Sequence, residues 1–266
     1  MLAAGIIVFR EVLEAALVAG IILAATKGVA RSRLWVVAGV VAGLFGAGLI
    51  AASADVLSEA LAGMGQEAFN ASVLLVAVGM LAWHNAWMSK HGREMAAEMK
   101  AVGHAVSMGS RPLSVLALVV GIAVLREGAE TVLFLYGISA GGDGTVSTAL
   151  GALGGLAAGI AMGTGLYVGL VAIPTRHLFT VTTWLVTLLA AGMAAKAVAF
   201  LASAGLINGG DEALWDSSQL LSERSLPGQV LNTLVGYVDR PMPEQLAAWA
   251  ATILMITVLT RMVRAR

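Results

Sequence analysis

Seven apolar stretches run through this chain, each long enough to cross a bilayer as a helix. They cover residues 2–26, 34–54, 68–88, 113–140, 147–173, 178–205 and 246–262. An α-helix needs about 20 predominantly apolar residues to cross the hydrocarbon core, whereas the strands of a membrane barrel would be shorter and would alternate in polarity. The sequence therefore predicts an all-α integral membrane protein with seven transmembrane helices, as a single membrane domain over residues 1–266.

Composition supports this fold class and excludes several functions. Charged residues make up 12% of the chain and apolar residues 59%, whereas a soluble domain has about 25% charged residues. The absence of Cys excludes disulfides and thiolate metal sites, and the net charge of zero gives no support for a nucleic-acid partner. Residues 1–26 lack a basic segment before the apolar run, so we interpret them as the first helix rather than a signal peptide.

The distribution of basic residues predicts the orientation in the membrane. Eleven of the sixteen Lys and Arg residues lie in the loops 27–33, 89–112 and 174–177 or in the C-terminal tail. Only two lie in the loops on the other side, where ten of the sixteen acidic residues are found. Because cytoplasmic loops are enriched in Lys and Arg, we expect the N-terminus outside and the C-terminus inside.

The chain contains an internal repeat. The motif R-E-x-x-E occurs at Arg10–Glu14 and again, 116 residues later, at Arg126–Glu130. The same offset of 116 residues relates Gly39 to Gly155 and Gly43 to Gly159. On each helix these glycines are four residues apart and form a ridge of small residues, which we expect to permit close helix packing. Three helices in each half would invert the second half relative to the first, as in many transporters. The predicted parts are a first repeat (1–88), a cytoplasmic loop (89–112), a second repeat (113–205), an outer acidic loop (206–245) and a seventh helix with a basic tail (246–266).

Both motifs place charges in the middle of predicted helices. These residues are Arg10, Glu11, Glu14, Arg126, Glu127, Glu130 and, in the sixth helix, Lys196. One such charge costs about 2.5–3.5 kcal/mol, so seven uncompensated charges would cost on the order of 20 kcal/mol. Two arginines cannot neutralise four glutamates, although Lys196 would offset one more charge if its helix faces the same cavity. We therefore expect the charges to be paired or to bind a cation.

The spacing within each motif favours a cation site near the bilayer midplane. Positions i and i+3 share a helix face, so Glu11 and Glu14 project together while Arg10 reaches Glu14. Carboxylates are hard ligands that suit Fe³⁺, Mn²⁺, Mg²⁺ or Ca²⁺. The predicted ligands are Glu11, Glu14, Glu127 and Glu130, with Arg10, Arg126 and Lys196 as supporting charges. Buried ion pairs that fix helix packing are the alternative interpretation.

Two further groups are weaker candidates. His84 lies alone in the third predicted helix between Trp83 and Trp87, a setting more typical of a packing residue than of a ligand. In the outer loop, the acids Asp211, Glu212 and Asp216 form a candidate relay that attracts cations. A solvated acidic face explains these acids equally well. The mixture of acidic and apolar residues in this loop also predicts short amphipathic helices on the membrane surface or over the pore mouth.

These motifs resemble those of the high-affinity iron permease family, the membrane component of oxidase-linked iron uptake in fungi and of Efe-type uptake in bacteria. The resemblance is strongest in the segments Phe9–Leu17 and Leu125–Glu130. It continues through Trp87-Met88, His91–Ala96, Leu214–Ser218, Gly236-Tyr237 and Arg240-Pro241. It covers nearly the whole chain. A single R-E-x-x-E is a weak signal, whereas two copies in mid-helix related by an inverted repeat are specific. The first motif departs from the family in having Val12, where the family usually has Gly.

The resemblance implies an iron permease of the bacterial inner membrane, with Glu11, Glu14, Glu127 and Glu130 as ligands along the path. Iron usually arrives in this family as Fe³⁺ made by a partner oxidase, so we expect a separate oxidase or periplasmic iron-delivery protein. Iron would be the transported substrate, with no permanently bound cofactor and no enzymatic activity. The glycine ridges also permit contacts between copies of the chain, as in a homo-oligomer.

Three alternatives remain open at this point. The chain could transport another cation such as lead or manganese, since some relatives are linked to lead. It could be a coupled carrier of an organic anion whose carboxylate is held by Arg10 and Arg126. The third alternative is an intramembrane di-metal enzyme. Ferritin-like di-metal sites use the motif E-x-x-H, and neither motif here has His three residues after its Glu.

Overall fold

The computed structural model describes residues 1–61, 65–142, 144–169, 175–207, 212–223 and 225–265, and within these ranges the protein is all α-helical. The helices are α1 (Leu2–Ala25), α2 (Ser32–Leu61), α3 (Gln66–Ser107), α4 (Ser114–Ala140), α5 (Thr145–Val168), α6 (Thr175–Ser203), α7 (Leu226–Val235) and α8 (Pro243–Ala265). The predicted helical fold class is confirmed. The predicted end of the fifth stretch, at residue 173, lies outside the described residues.

Five helices within the described residues are long and apolar enough to cross a membrane. The segments are Ser32–Ser53, Gln66–Gly92, Thr145–Val168, Thr180–Ser203 and Pro243–Val263. The helices α1 and α4 have comparable lengths, but each carries the three charged residues of an R-E-x-x-E motif. The integral membrane character is thus supported by five helices, and the count of seven crossings stays a prediction.

Two pairs of helices pack closely along their lengths, α1 with α5 and α2 with α4. A Cβ atom on Gly159 would lie 2.8 Å from Val12 Cγ1, and one on Gly39 would lie 2.6 Å from the carbonyl oxygen of Ala117. The glycine ridges therefore serve close packing, as expected. Residue numbers rise together along both contacts, so the helices in each pair run in the same direction.

Apolar packing lies on both sides of the charged motifs. One cluster joins α1, α3, α4 and α6 through residues that include Ile7, Leu81, Phe134 and Leu189. The other joins α1, α2, α3 and α4 through residues that include Val18, Val36, Val106 and Val120. The Arg10–Glu14 motif lies between Ile7 and Val18 along α1, and the Arg126–Glu130 motif lies between Val120 and Phe134 along α4. The charged residues therefore occupy a polar layer between two apolar layers.

The segment that follows α6 folds back on itself through hydrogen bonds. The N–H of Leu214 donates to the carbonyl of Pro241 (2.9 Å), and the N–H of Ser217 donates to the carbonyl of Asp239 (2.9 Å). The Ser225 hydroxyl caps α7 by accepting from the N–H of Gly228 (3.1 Å). One of the predicted short helices is therefore present as α7.

The short helix α7 is partly exposed, and its C-terminal end packs against α6. It ends at Gly236, which has a positive φ of 75°, and a Cβ on Gly192 of α6 would lie 3.0 Å from Gly236 Cα. Trp249 of α8 secures this end, because its indole N–H donates to the carbonyl of Val235 (2.6 Å). The C-terminal end of α7 is thus inserted against α6.

Candidate metal centre

The first motif places three charged side chains in the interior, on α1. Arg10, Glu11 and Glu14 are each less than 5% exposed. Arg10 Nε lies 3.0 Å from Glu14 Oε1, and Arg10 Nη1 lies 3.6 Å from Glu11 Oε1. The i,i+4 spacing on a helix brings Arg10 and Glu14 together, as predicted. One arginine thus faces two carboxylates.

The second motif repeats this arrangement on α4, but closer to the protein surface. Arg126 Nε donates a hydrogen bond to Glu130 Oε1 (3.1 Å) and lies 3.9 Å from Glu127 Oε1. The Arg126 side chain is 35% exposed, whereas the side chains of Glu127 and Glu130 are mostly buried. The Arg126 guanidinium carbon lies 4.2 Å from the centre of the Trp87 ring, within the range of a cation–π contact.

His84 of α3 links the two motifs. Its Nε2 lies 3.5 Å from Glu14 Oε2, and its Nδ1 contacts Glu130 Oε2. The imidazole is 2% exposed. Glu14 and Glu130 hold equivalent positions in the repeat, so one imidazole lies between the two equivalent carboxylates. Sequence reasoning gave His84 a minor role, because neither the repeat nor the spacing along α3 indicated that its ring points to both motifs.

Four side chains bring donor atoms close enough to share one metal ion. Atoms of Glu11, His84, Glu127 and Glu130 all lie within 4.8 Å of one another. Three of these residues belong to the predicted ligand set, and His84 joins them. Glu14, the fourth predicted ligand, contacts Arg10 and His84, and its role as a ligand stays a prediction.

Several oxygens in this centre accept no hydrogen bond among the described residues, namely both carboxylate oxygens of Glu11 and Oε2 of Glu127. Glu11 Oε1 has an ion-pair contact with Arg10 Nη1 at 3.6 Å. A buried ionised carboxylate that is incompletely hydrogen-bonded is costly. Three carboxylates and one imidazole can satisfy this need by coordinating a cation, and iron accepts both kinds of donor.

A cavity of about 510 Å³ reaches the centre from one side, between α3 and α4. Its walls are Val76, Gly79, Met80, Trp83, His84, Trp87, Arg126 and Glu130. Glu130 and His84 belong to the four-residue centre, whereas Glu11 and Glu127 lie behind them. An ion in this cavity would therefore meet Glu130 and His84 first.

Lys196, the predicted third supporting charge, lies on α6 near the outer segment. Burial and the neighbouring Asp239 raise the pKa of Glu223 above its ordinary value, and the ammonium of Lys196 opposes this rise. Asn232 also donates a hydrogen bond to Glu223 (2.6 Å). Among the described residues, Lys196 thus interacts with an acid outside the four-residue centre.

The proposed outer relay is only partly described, because Asp211 lies outside the described residues. Glu212 is exposed. Asp216 accepts hydrogen bonds from the hydroxyl and the N–H of Ser218 and pairs with Arg240 at 2.8 Å. These contacts lower the pKa of Asp216 to about 2. Asp216 therefore has a local structural role within the folded outer segment.

Comparison with known proteins gives a consistent result. The chain matches the profile of the iron permease FTR1 family over residues 1–263. The ferrous iron permease EfeU of Escherichia coli O6:K15:H31 (strain 536 / UPEC) is 32% identical over 248 residues, which cover 92% of this chain and 89% of that protein. The ferrous iron permease EfeU of Shigella flexneri is 34% identical over 185 residues, 69% of this chain and 78% of that protein. No solved structure matches the chain.

Proposed function

Because the chain belongs to the iron permease FTR1 family, we propose that it moves iron across the bacterial cytoplasmic membrane through the centre formed by α1, α3 and α4. The family is one of permeases, which supports transport rather than catalysis. Iron is the cargo in this proposal, and no resident cofactor is required.

The observation that carries this proposal is the convergence of buried carboxylate oxygens from two equivalent helices. Glu11 and Glu127 contribute oxygens that accept no hydrogen bond among the described residues, and His84 and Glu130 complete a set within 4.8 Å. Protons compete with a metal for such ligands, so iron binding should weaken as the pH falls.

Seven membrane crossings in two inverted repeats, with the N-terminus outside, form part of the proposal. The same-direction packing of α1 with α5, and of α2 with α4, supports it, because an even number of crossings must separate the starts of two parallel helices. The second helix of each half thereby packs on the first helix of the other half. This exchange agrees with an inverted repeat whose site lies at the interface between its two halves.

We propose Fe³⁺ as the transported form, because three of the four donors are carboxylates and hard oxygen ligands favour the harder ion. Fe²⁺ is the second candidate, since His84 adds an imidazole and the relatives are named as ferrous iron permeases. A separate oxidase or iron-delivery protein would supply Fe³⁺ at the outer face. Oligomer formation stays a prediction.

The test is ⁵⁵Fe uptake into sealed proteoliposomes, measured separately with chelated Fe³⁺ and with ascorbate-reduced Fe²⁺. The informative variant combines Glu11→Gln and Glu127→Gln, since these changes remove ligand charge without breaking the Arg10–Glu14 or Arg126–Glu130 pairs. Glu98→Gln, an exposed acid on the inner part of α3, is the matched control. We expect saturable uptake by wild type and Glu98→Gln and its loss in the double variant. Wild-type uptake by a folded double variant would contradict the proposed site.

A further inference from the structure

The arginines of the two motifs are held in different ways. Arg10 is 2% exposed and is enclosed within the protein, where it faces Glu11 and Glu14. Arg126 is 35% exposed and lines the cavity between α3 and α4. A long side chain that is partly exposed keeps several rotamers unless further contacts select one of them. Arg126 therefore depends on individual contacts where Arg10 is fixed by burial.

Trp87 of α3 supplies one of these contacts. The guanidinium carbon of Arg126 lies over the Trp87 ring, 4.2 Å from its centre, and the Nε of the same guanidinium donates to Glu130 Oε1 (3.1 Å). The hydrogen bond fixes one edge of the guanidinium, and the ring fixes its distance from α3. Because each contact restricts a different movement, the two together select one orientation of the Arg126 side chain.

The Trp87 ring is itself held by His91, one helical turn further along α3. Positions i and i+4 lie on the same face of a helix, and the two rings stack with their centres 5.0 Å apart and an angle of 18° between their planes. The Nδ1 of His91 donates to the carbonyl of Trp87 (3.1 Å), which fixes the imidazole in turn. The half-buried Trp87 therefore presents its ring to Arg126 from a supported position.

Arg126 connects this support to the metal centre. Its Nε bonds to Glu130 and lies 3.9 Å from Glu127 Oε1, and both glutamates belong to the four residues whose donor atoms lie within 4.8 Å of one another. A cation beside two carboxylates also offsets their mutual repulsion while no metal is bound. A displaced guanidinium would therefore release Glu130 from its position and change the charge beside Glu127.

We infer that Trp87 is a positioning residue of the metal centre: its ring holds Arg126 through a cation–π contact, and Arg126 holds Glu130 and Glu127 in place for the ion. The inference rests on the proposed function for the identity of that ion. A cation–π contact requires the electron-rich face of an aromatic ring and not only its volume. Packing alone would depend on the shape of the Trp87 side chain, so the electron density of the ring distinguishes the two roles.

Fluorinated tryptophan at position 87 tests this requirement. Each fluorine withdraws electron density from the ring face while the shape of the side chain changes little, so the cation–π contact weakens stepwise. The fluorinated residues are incorporated at position 87 alone, in the full-length protein. Equilibrium dialysis of the purified protein then measures binding of ⁵⁵Fe²⁺ kept reduced by ascorbate and of ⁵⁵Fe³⁺ supplied as citrate. Trp184 is the matched control, because it is 53% exposed on α6 and does not line the cavity.

We expect the iron affinity to fall with each fluorine added at position 87, to a loss of about tenfold with four fluorines, the lower end of the range for residues that orient metal ligands. The same series at position 184 should leave the affinity unchanged. An iron affinity that does not depend on fluorination at position 87 would overturn the inference and leave the proposed function intact. Absence of iron binding by folded wild type would remove the proposed function and this inference with it, so the two failures are distinguishable.

Two further measurements test whether Trp87 acts through Arg126. In an Arg126→Met background no cation lies over the ring, so fluorination at position 87 should leave the remaining iron affinity unchanged, and an equal loss in both backgrounds would overturn the inference. The contact itself is measured without iron, by a double-mutant cycle of Trp87→Leu with Arg126→Met in SDS unfolding. We expect a favourable coupling between the two side chains, and strict additivity of the two changes would overturn the inference.

Discussion

Arg10 and Glu14 form an ion pair on one face of α1, with Arg10 Nε 3.0 Å from Glu14 Oε1 and both side chains less than 5% exposed. Its counterpart on α4, Arg126 with Glu130, has nearly the same distance, 3.1 Å, but borders a cavity. Equivalent sequence positions thus lie in unequal surroundings. The consequences for stability differ accordingly.

Arg10→Met should destabilise the protein far more than Arg126→Met. Removing one partner of a buried ion pair leaves an uncompensated charge and costs about 3–5 kcal/mol, whereas a partly exposed pair is worth about 1 kcal/mol or less. Unfolding of the purified protein by SDS, followed by circular dichroism, measures both changes. Adding Glu14→Gln to Arg10→Met should recover part of the loss. Equal destabilisation by the two arginine variants would contradict this account of their burial.

His84→Ala should weaken iron binding by at least about 10–100-fold, the range seen when a residue that only orients metal ligands is removed, because the change removes one of the four proposed donors. The imidazole contacts both Glu14 and Glu130, so its loss affects both motifs. Asn85→Ala is the control, because Asn85 is equally buried but bonds to Thr187 of α6. X-ray absorption of the iron-loaded protein tests this role directly, since imidazole scattering should be present in wild type and in Asn85→Ala and absent in His84→Ala. Unchanged affinity in His84→Ala would remove His84 from the site.

Gly159→Ala should destabilise the contact between α1 and α5, because its Cβ would lie 2.8 Å from Val12 Cγ1. Overpacking of this kind costs about 1–3 kcal/mol. Gly154→Ala is the control on the same helix, where a Cβ has no described neighbour within 4 Å. Combining Gly159→Ala with Val12→Gly should restore part of the stability, and a double-mutant cycle measures that coupling. Simple additivity of the two changes would show that Val12 and Gly159 do not interact.

The outer segment should lose order in acid through protonation of Asp216. Hydrogen bonds from Ser218 and the pair with Arg240 lower the pKa of Asp216 to about 2, from an ordinary value of 3.8. Stability from a carboxylate with a lowered pKa is present above the ordinary value and is lost as the pH falls toward the lowered one. Cleavage within residues 212–223 by pepsin should therefore rise between pH 4 and pH 2. Asp216→Ala should be cleaved similarly at both pH values, and an equally steep rise in that variant would contradict the role of Asp216.

The sequence predicted much of the fold because apolar length and repeated motifs are local properties of the chain. The helical class, the two R-E-x-x-E motifs on α1 and α4, and the contacts of the glycine ridges all follow from such patterns. The presence of Val12, where the family usually has Gly, is explained only by the packing of the helices in the tertiary structure. Val12 lies against Gly159, while Gly128, at the equivalent position of the second motif, would place a Cβ 2.5 Å from Ala47 Cβ. Each close contact thus combines one glycine with one larger side chain.

The sequence alone establishes that two arginines and four glutamates lie within apolar helices and must be compensated there, since hydrocarbon cannot solvate them. Which groups compensate them depends on how the helices pack. The rotation of α3 about its axis brings His84 between Glu14 and Glu130, while the path of the chain after α7 brings Gly236 against Gly192 of α6. The tertiary structure also brings Lys196 near enough to Glu223 to oppose the rise in the pKa of that carboxyl. These outcomes depend on contacts between residues far apart in the chain, and a periodic local pattern carries no information about them.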